Sequence, residues 1–151
     1  MDVVIRACAS ADDAAWRALR RAMYARNDPA ELHAEMVAMC REPERFAQFI
    51  GEDADGRALG FVEVSLRRDH VVGTSTSPVA FLESIYVVAA ARGNGLARAL
   101  VAQARALGRA RGCSEFASDT LLDNAASQAM HRALGFEETR RVVYFRQSLD
   151  D

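Results

Sequence analysis

The sequence has almost no excess of charge of either sign. Its 19 Lys and Arg residues stand against 21 Asp and Glu, a formal net charge of −2 over 151 residues. Such a balance offers no bulk attraction to nucleic acid or to an anionic membrane surface. Cysteines are few, odd in number and scattered, at Cys8, Cys40 and Cys113. They form neither a disulfide framework nor a metal-ligand spacing, so a reduced, cytoplasmic, metal-free protein is expected. Long apolar runs are missing too. The opening stretch "MDVVIRACAS" is too short and too polar for a signal peptide or a membrane span. Repeats, linkers and low-complexity tracts are absent. What remains is the composition of a globular domain, 50% hydrophobic and 26% charged. One domain covering residues 1–151 has enough chain to bury a core.

Local signals set the order of elements. Val3–Arg6 reads as a short strand. Ser10 offers an N-cap, with Asp13 at the third helical position and Trp16, Leu19 and Met23 on one helical face. Asp28 and Pro29 restart a helix whose buried face is Leu32, Met36 and Met39, with Pro43 closing it. "RFAQFIGE" and "ALGFVEVSL" flank the turn "DADG" and read as a hairpin. A polar loop covers 69–78, and "VAFLESIYVV" is a third strong strand. A helix follows to about Arg111, ended by Gly112. "SEFASDT" is another strand, Asp123 caps a helix through Leu134, and "RRVVYFRQSL" is a final strand. The mixture predicts an α/β architecture on a mixed sheet.

The stretch "ARGNGLARAL" puts Gly93 and Gly95 where a helix should begin. A Walker loop is excluded by the missing Gly-Lys-Ser/Thr ending. A dinucleotide fingerprint is a poor match, because the turn follows a middle strand and lacks the third glycine. Two readings stay open. One is a plain strand-to-helix turn. The other is a pyrophosphate cradle, in which small residues let backbone N–H groups converge on an anion at a helix N-terminus.

Two carboxylates stand out. Glu83 lies within "AFLESIYV", alternating with Ile85 and Val87 on one face while Leu82 and Tyr86 take the other. A lone acid in an apolar strand is costly unless paired or wet. It reads either as a site residue or as a solvent-facing acid. Asp119 ends "SEFASD" and reads either as a site residue or as a turn cap. Cys113 has no evident His partner, so no covalent acyl-cysteine route is expected.

Arg92-x-x-Gly95-x-Ala97 after a strand, followed by "DNAASQAMHRALGF" after the next, resembles the GNAT superfamily of acetyl-CoA-dependent N-acetyltransferases. Within it, "SPVAFLESIYV", "GCSEFASDT", "HRALGFEETRRV" and "RRDHVVG" are most similar to bacterial aminoglycoside 6′-N-acetyltransferases. The resemblance implies a mixed central sheet flanked by helices, with splayed middle strands holding acetyl-CoA. It assigns the pyrophosphate to the amides of Gly93, Asn94, Gly95, Leu96, Ala97 and Arg98, with Arg92 at the start of the loop. It pairs the pantetheine arm with the backbone of Ile85, Tyr86 and Val87, beside Asn124. Glu83 and Asp119 are implied to hold the cationic acceptor, one of them taking the ammonium proton directly or through water.

Tyr24 and His70 are implied as aromatic-type substrate contacts. Their plain readings are a core aromatic and an exposed loop histidine. Arg140 stands where close relatives carry a substrate-contacting acid; it turns away, pairs with Glu137 or Glu138, or alters substrate preference. His131 stands where many members place a tyrosine thought to protonate the leaving thiolate, though an ordinary helix histidine fits better. Tyr144 is a second conceivable donor, with a core-strand role equally open. A carboxylate-lined cleft would concentrate a polycationic aminoglycoside. A homodimer is implied as well. The implied activity is acetyl transfer to an aminoglycoside 6′-amine, conferring resistance. The alternatives are acetylation of another amine (polyamine, peptide or metabolite) and a non-catalytic acyl-CoA-binding domain.

Overall fold

Strand β1 (Val4–Cys8) is followed by helices α1 (Ala14–Met23) and α2 (Pro29–Cys40), then β2 (Phe46–Glu52), β3 (Ala58–Arg67) and β4 (Val79–Val87). Next come α3 (Leu96–Ala110), the two-residue strand β5 (Phe116–Ala117) and α4 (Ala125–Ala133). The computed structural model describes residues 2–150. The chain divides into two compact units after Asp119.

The first unit carries one sheet in the order β1-β2-β3-β4-β5. The first four strands are antiparallel, and β5 runs parallel to β4. The mixed sheet is therefore as the sequence predicts. β5 is much shorter than "SEFASDT" suggests and meets β4 only at Ala80–Phe116 and Phe81–Ala117. Beyond that point the edge of β4 runs on without a ladder partner among the described residues.

One sheet face is covered by α1 and α2. Trp16, Leu19, Met36 and Met39 pack there with Ile50 and Phe61. Asp13, not Ser10, caps α1: its side chain accepts from the Trp16 amide at 3.1 Å. Ser10 instead accepts from the Asp12 amide in the preceding turn. Asp28 caps α2 with Pro29 in its first turn, as the sequence predicts. The opposite face receives α3. Gly51 and Gly60 are cross-strand partners there. A Cβ on Gly51 would lie 2.5 Å from the Leu96 side chain, and one on Gly60 3.3 Å from it. Gly51 leaves the hollow that seats Leu96, while Gly60 is held to glycine first by the Tyr86 carbonyl oxygen, 2.6 Å from where its Cβ would lie.

The second unit contains α4. Its N-cap is Asn124, which accepts from the Ser127 amide at 3.0 Å, rather than Asp123. Residues 136–150 have no regular secondary structure, so the strand expected at "RRVVYFRQSL" is not formed. Its apolar residues lie open, from Val142 at 51% exposure to Leu149 at 94%.

Candidate active site

The centre of the first unit is organised by a bulge. β3 and β4 pair Glu63 with Ser84 and Val64 with Leu82, which leaves Glu83 as an extra residue. A bulge re-aims side chains. Phe81, Ser84 and Tyr86 consequently share the face of Ser65, Glu63 and Phe61, their pairing partners. Glu83 turns toward this face as well: Ser65 Oγ donates to its Oε1 at 2.5 Å, and Arg67 Nη2 at 2.9 Å. The simple alternation that grouped Glu83 with Ile85 and Val87, opposite Tyr86, is therefore corrected by one inserted residue.

Glu83 opens onto a cleft of about 430 Å³ shared with Tyr24 and Ser84. The Tyr24 hydroxyl and Ser84 Oγ share a 2.5 Å hydrogen bond. Burial raises the Tyr24 phenol above its ordinary value and keeps it neutral. Behind them lies a group that sequence reasoning missed. Glu63 is 3% exposed. It accepts from Trp16 Nε1 at 2.9 Å, and its Oε1 lies 3.1 Å from Arg20 Nε. Burial pushes the Glu63 carboxyl up, opposed by the Arg20 charge. A lone acid inside the apolar "GFVEVSL" was the available signal, the same one that exposed Glu83. Arg20 also reaches Glu35 at 2.7 Å.

The cleft is not a bare carboxylate surface, contrary to expectation. Glu35, Glu63 and Glu83 line it together with Arg20, Arg45 and Arg67. Formal charges cancel.

Beyond Glu83, Ile85–Val87 pair with β3 on one side and have no ladder partner on the other among the described residues. Arg92 folds back, its Nε donating to the Val87 carbonyl at 2.9 Å. Arg92 thereby ties the following loop to the strand. Gly93 and Gly95 have φ of 78° and 83°, and a Cβ added at either would meet no protein atom within 4 Å. Left-handed backbone explains the glycines directly. The open space beside them leaves room for a ligand. Gly95 caps α3 without a side-chain hydrogen bond. The first-turn amides at Leu96 and Ala97 have no acceptor within the helix. Asn94 Nδ2 reaches only the Arg92 carbonyl, at 3.5 Å. An uncapped helix start next to an unpaired strand edge fits an anion carrying an extended amide-bearing arm.

Other expected residues are placed differently. Asp119 is exposed just past β5. His70 is exposed in the 68–78 loop and does not line the cleft. Glu115 anchors that loop by accepting from the Ser75 and Thr76 amides at 3.0 and 2.8 Å. In the second unit, Asn124 caps α4. His131 Nδ1 donates to the Ser127 carbonyl at 2.7 Å, and its ring packs on Phe136. That back-bond commits the Nδ1 proton to the helix. Tyr144 is 85% exposed rather than part of a core strand. Arg140 is exposed and not paired with Glu138, which is held by Arg141 and Arg132. All three cysteines are free, and burial raises their thiols, Cys8 to about 11. That leaves little thiolate for nucleophilic chemistry.

A sheet opened beside β4, a glycine-started helix and a bulged carboxylate define a coenzyme-dependent acyl-transfer scaffold. The acetyltransferase (GNAT) family profile matches residues 13–136, and the chain belongs to that family. Similar relatives include the aminoglycoside N(6′)-acetyltransferase type 1 of Stenotrophomonas maltophilia, 46% identical over 97% of this chain and 94% of that protein. The enzyme of the same name from Serratia marcescens is 46% identical over 89% of this chain and 92% of its own. Among solved structures, AAC(6′)-Iy in complex with a bisubstrate analogue, CoA-S-monomethyl-acetylneamine, superposes with a TM-score of 0.89. It has 39% identity and covers 98% of this chain and 99% of that one.

Proposed function

We infer that the protein is an aminoglycoside 6′-N-acetyltransferase, transferring acetyl from acetyl-CoA to the 6′-amine and so conferring resistance. One observation supports the reading: the bulge at Glu83 turns a carboxylate into the cleft lined by Tyr24 and Ser84, on the strand whose outer edge is open to an extended coenzyme arm. The sequence similarity to named 6′-N-acetyltransferases supports the same acceptor.

In this reading the amides of Gly93–Arg98 receive the pyrophosphate. Arg92 braces the loop against Val87. The backbone of Ile85, Tyr86 and Val87 pairs with the pantetheine arm. Glu83 and Asp119 hold the acceptor ammonium, and one of them takes its proton, directly or through water. The freed amine attacks the thioester carbonyl. The N–C bond forms, the C–S bond breaks, coenzyme A leaves as thiolate, and the second nitrogen proton passes to that sulfur or to solvent. Tyr24 forms an aromatic wall of the acceptor site. No metal takes part.

We further propose that residues 1–151 act as one catalytic domain, since the family match runs across the boundary between the two units. The protein acts in the cytoplasm, where acetyl-CoA is made. Among the described residues no helix is long and apolar enough to cross a membrane. It works as a homodimer, a reading supported by the open apolar stretch Val142–Phe145, which a second copy would cover.

The charge-balanced cleft favours keeping one second reading, an acceptor amine with fewer charges such as a polyamine or metabolite. Acetyl-CoA-dependent thiol release separates the two. Kanamycin or tobramycin should be turned over far faster than spermidine. The reverse order would favour the second reading, and coenzyme binding without turnover of any amine would contradict both.

A further inference from the structure

The cation nearest Glu83 belongs to the protein itself. Arg67, the last residue of β3, directs Nε and Nη2 to Glu83 Oε1 at 3.2 and 2.9 Å. Its guanidinium also lies 3.4 Å from the centroid of the Phe81 ring. Phe81 is buried, and the two charged side chains are only part-exposed, 38% for Arg67 and 29% for Glu83. An aromatic face and a carboxylate thus flank a cation.

The cleft's other arginines are committed elsewhere. Arg20 is buried between Glu63 and Glu35. Arg45 lies over the Phe46 ring, 3.6 Å from Glu42. Among the described residues the bonds made to Glu83 converge on Oε1, which leaves Oε2 for an incoming N–H donor.

We propose that Arg67 is a specificity-determining counter-cation: it occupies Glu83 in the free protein and is displaced by the ammonium group of the acceptor. This rests on the reading that Glu83 receives the acceptor. An amine approaching Oε2 comes within a few ångströms of the guanidinium, and two like charges at that distance repel. Arg67 is partly in solvent and can move outward along the Phe81 ring. Glu83 then exchanges one cation for another. Arg67 therefore weakens acceptor binding by a fixed amount and leaves coenzyme binding alone. Amines that make further contacts elsewhere in the site tolerate this. Amines that rely on Glu83 alone do not.

The test compares Arg67→Met, Arg67→Lys and Glu83→Gln by steady-state kinetics with kanamycin, with calorimetry of acetyl-CoA. Methionine covers Phe81 without a charge. Arg67→Met should lower the KM for kanamycin by roughly three- to fivefold, the scale of a part-exposed ion pair. Its kcat should stay within about twofold, and its acetyl-CoA affinity should not change. Arg67→Lys keeps the charge, and its KM should lie nearer wild type than Arg67→Met. An unchanged or higher KM in Arg67→Met overturns the proposal, since Arg67 would then merely hold Glu83 in place. Equal effects of Met and Lys overturn it too, because charge would not be the cause. Arg67→Gln replaces Arg67→Met if the melting curve of the latter shows a folding defect, and the same direction is required. Glu83→Gln separates the two levels of inference. If it leaves KM unchanged, the acceptor role of Glu83 itself fails. If it raises KM while neutralising Arg67 does not lower it, only the counter-cation role fails.

Discussion

Ser65 holds Glu83. The hydroxyl, 1% exposed on β3, donates to the bulged carboxylate on β4 at 2.5 Å. This contact exists because one extra residue in β4 turns Glu83 toward the face of Ser65. A bond from a neutral donor to a charged acceptor is worth about 1.5–3 kcal/mol. Ser65→Ala should therefore lower kcat/KM for a 6′-amino aminoglycoside about tenfold. Acetyl-CoA affinity by calorimetry should not follow. A parallel loss of coenzyme binding would mean that the bulge organises the sheet rather than the acceptor site.

Gly95 is expected to affect stability and coenzyme binding together. Its φ of 83° suits glycine, and any side chain there enters space open to a ligand. Gly95→Ala should cost about 1–2 kcal/mol in unfolding free energy from backbone strain. It should also weaken acetyl-CoA binding. Gly56→Ala is the control, with φ of 77°, equally open surroundings and a place in the β2–β3 turn. Its stability cost should be similar, with coenzyme affinity unchanged. Equal coenzyme affinities for the two variants would remove the glycine turn from the binding site.

The sequence made the local features legible. The "DADG" turn, the Asp28–Pro29 helix start and the glycine stop at Gly112 all depend on neighbours within four residues, and all are present. The β4 bulge was not legible, because it depends on the register between two strands separated by a loop. The Trp16–Glu63–Arg20 network joins α1 to β3 across more than forty residues and left only a lone acid as its trace. "RRVVYFRQSL" alternates like a strand, but a strand also needs an edge to pair with, and residues 136–150 are irregular. Glu83 and Tyr24 line one cleft in the first unit, which also carries the α3 start. His70 stands apart, and no sequence signal told an exposed loop histidine from a cleft residue.

Arg6 makes fold stability sensitive to acid. It bridges Asp13 at 2.7 Å and Glu52 at 2.6 Å. The hydrogen bond from Arg6 holds the Asp13 carboxyl below its ordinary value. A depressed carboxyl contributes stability above its unfolded pKa and loses it as pH falls through the folded one. Asp13→Asn keeps the helix cap but not the charge. It should lose about 1 kcal/mol near neutrality, allowing for solvent screening. Below about pH 4 its urea-unfolding curves should converge on those of wild type. A constant difference from neutral pH down into that acid range would assign the effect to capping alone.

Asp119 should reveal itself in the pH–rate profile. If its carboxylate binds or deprotonates the ammonium, Asp119→Asn lowers kcat/KM and alters the acid limb of the profile. A turn-capping aspartate would be replaced well by asparagine, leaving the two profiles superimposed.

The most direct measurement uses two aminoglycosides that differ only at the 6′ position, one with an amine and one with a hydroxyl. Each is incubated with the protein and acetyl-CoA, and the products are mapped by NMR. The account predicts one acetyl group, on the 6′ nitrogen of the first compound, with stoichiometric release of coenzyme A, and no product from the second. Acetylation of both compounds at another amine would contradict it.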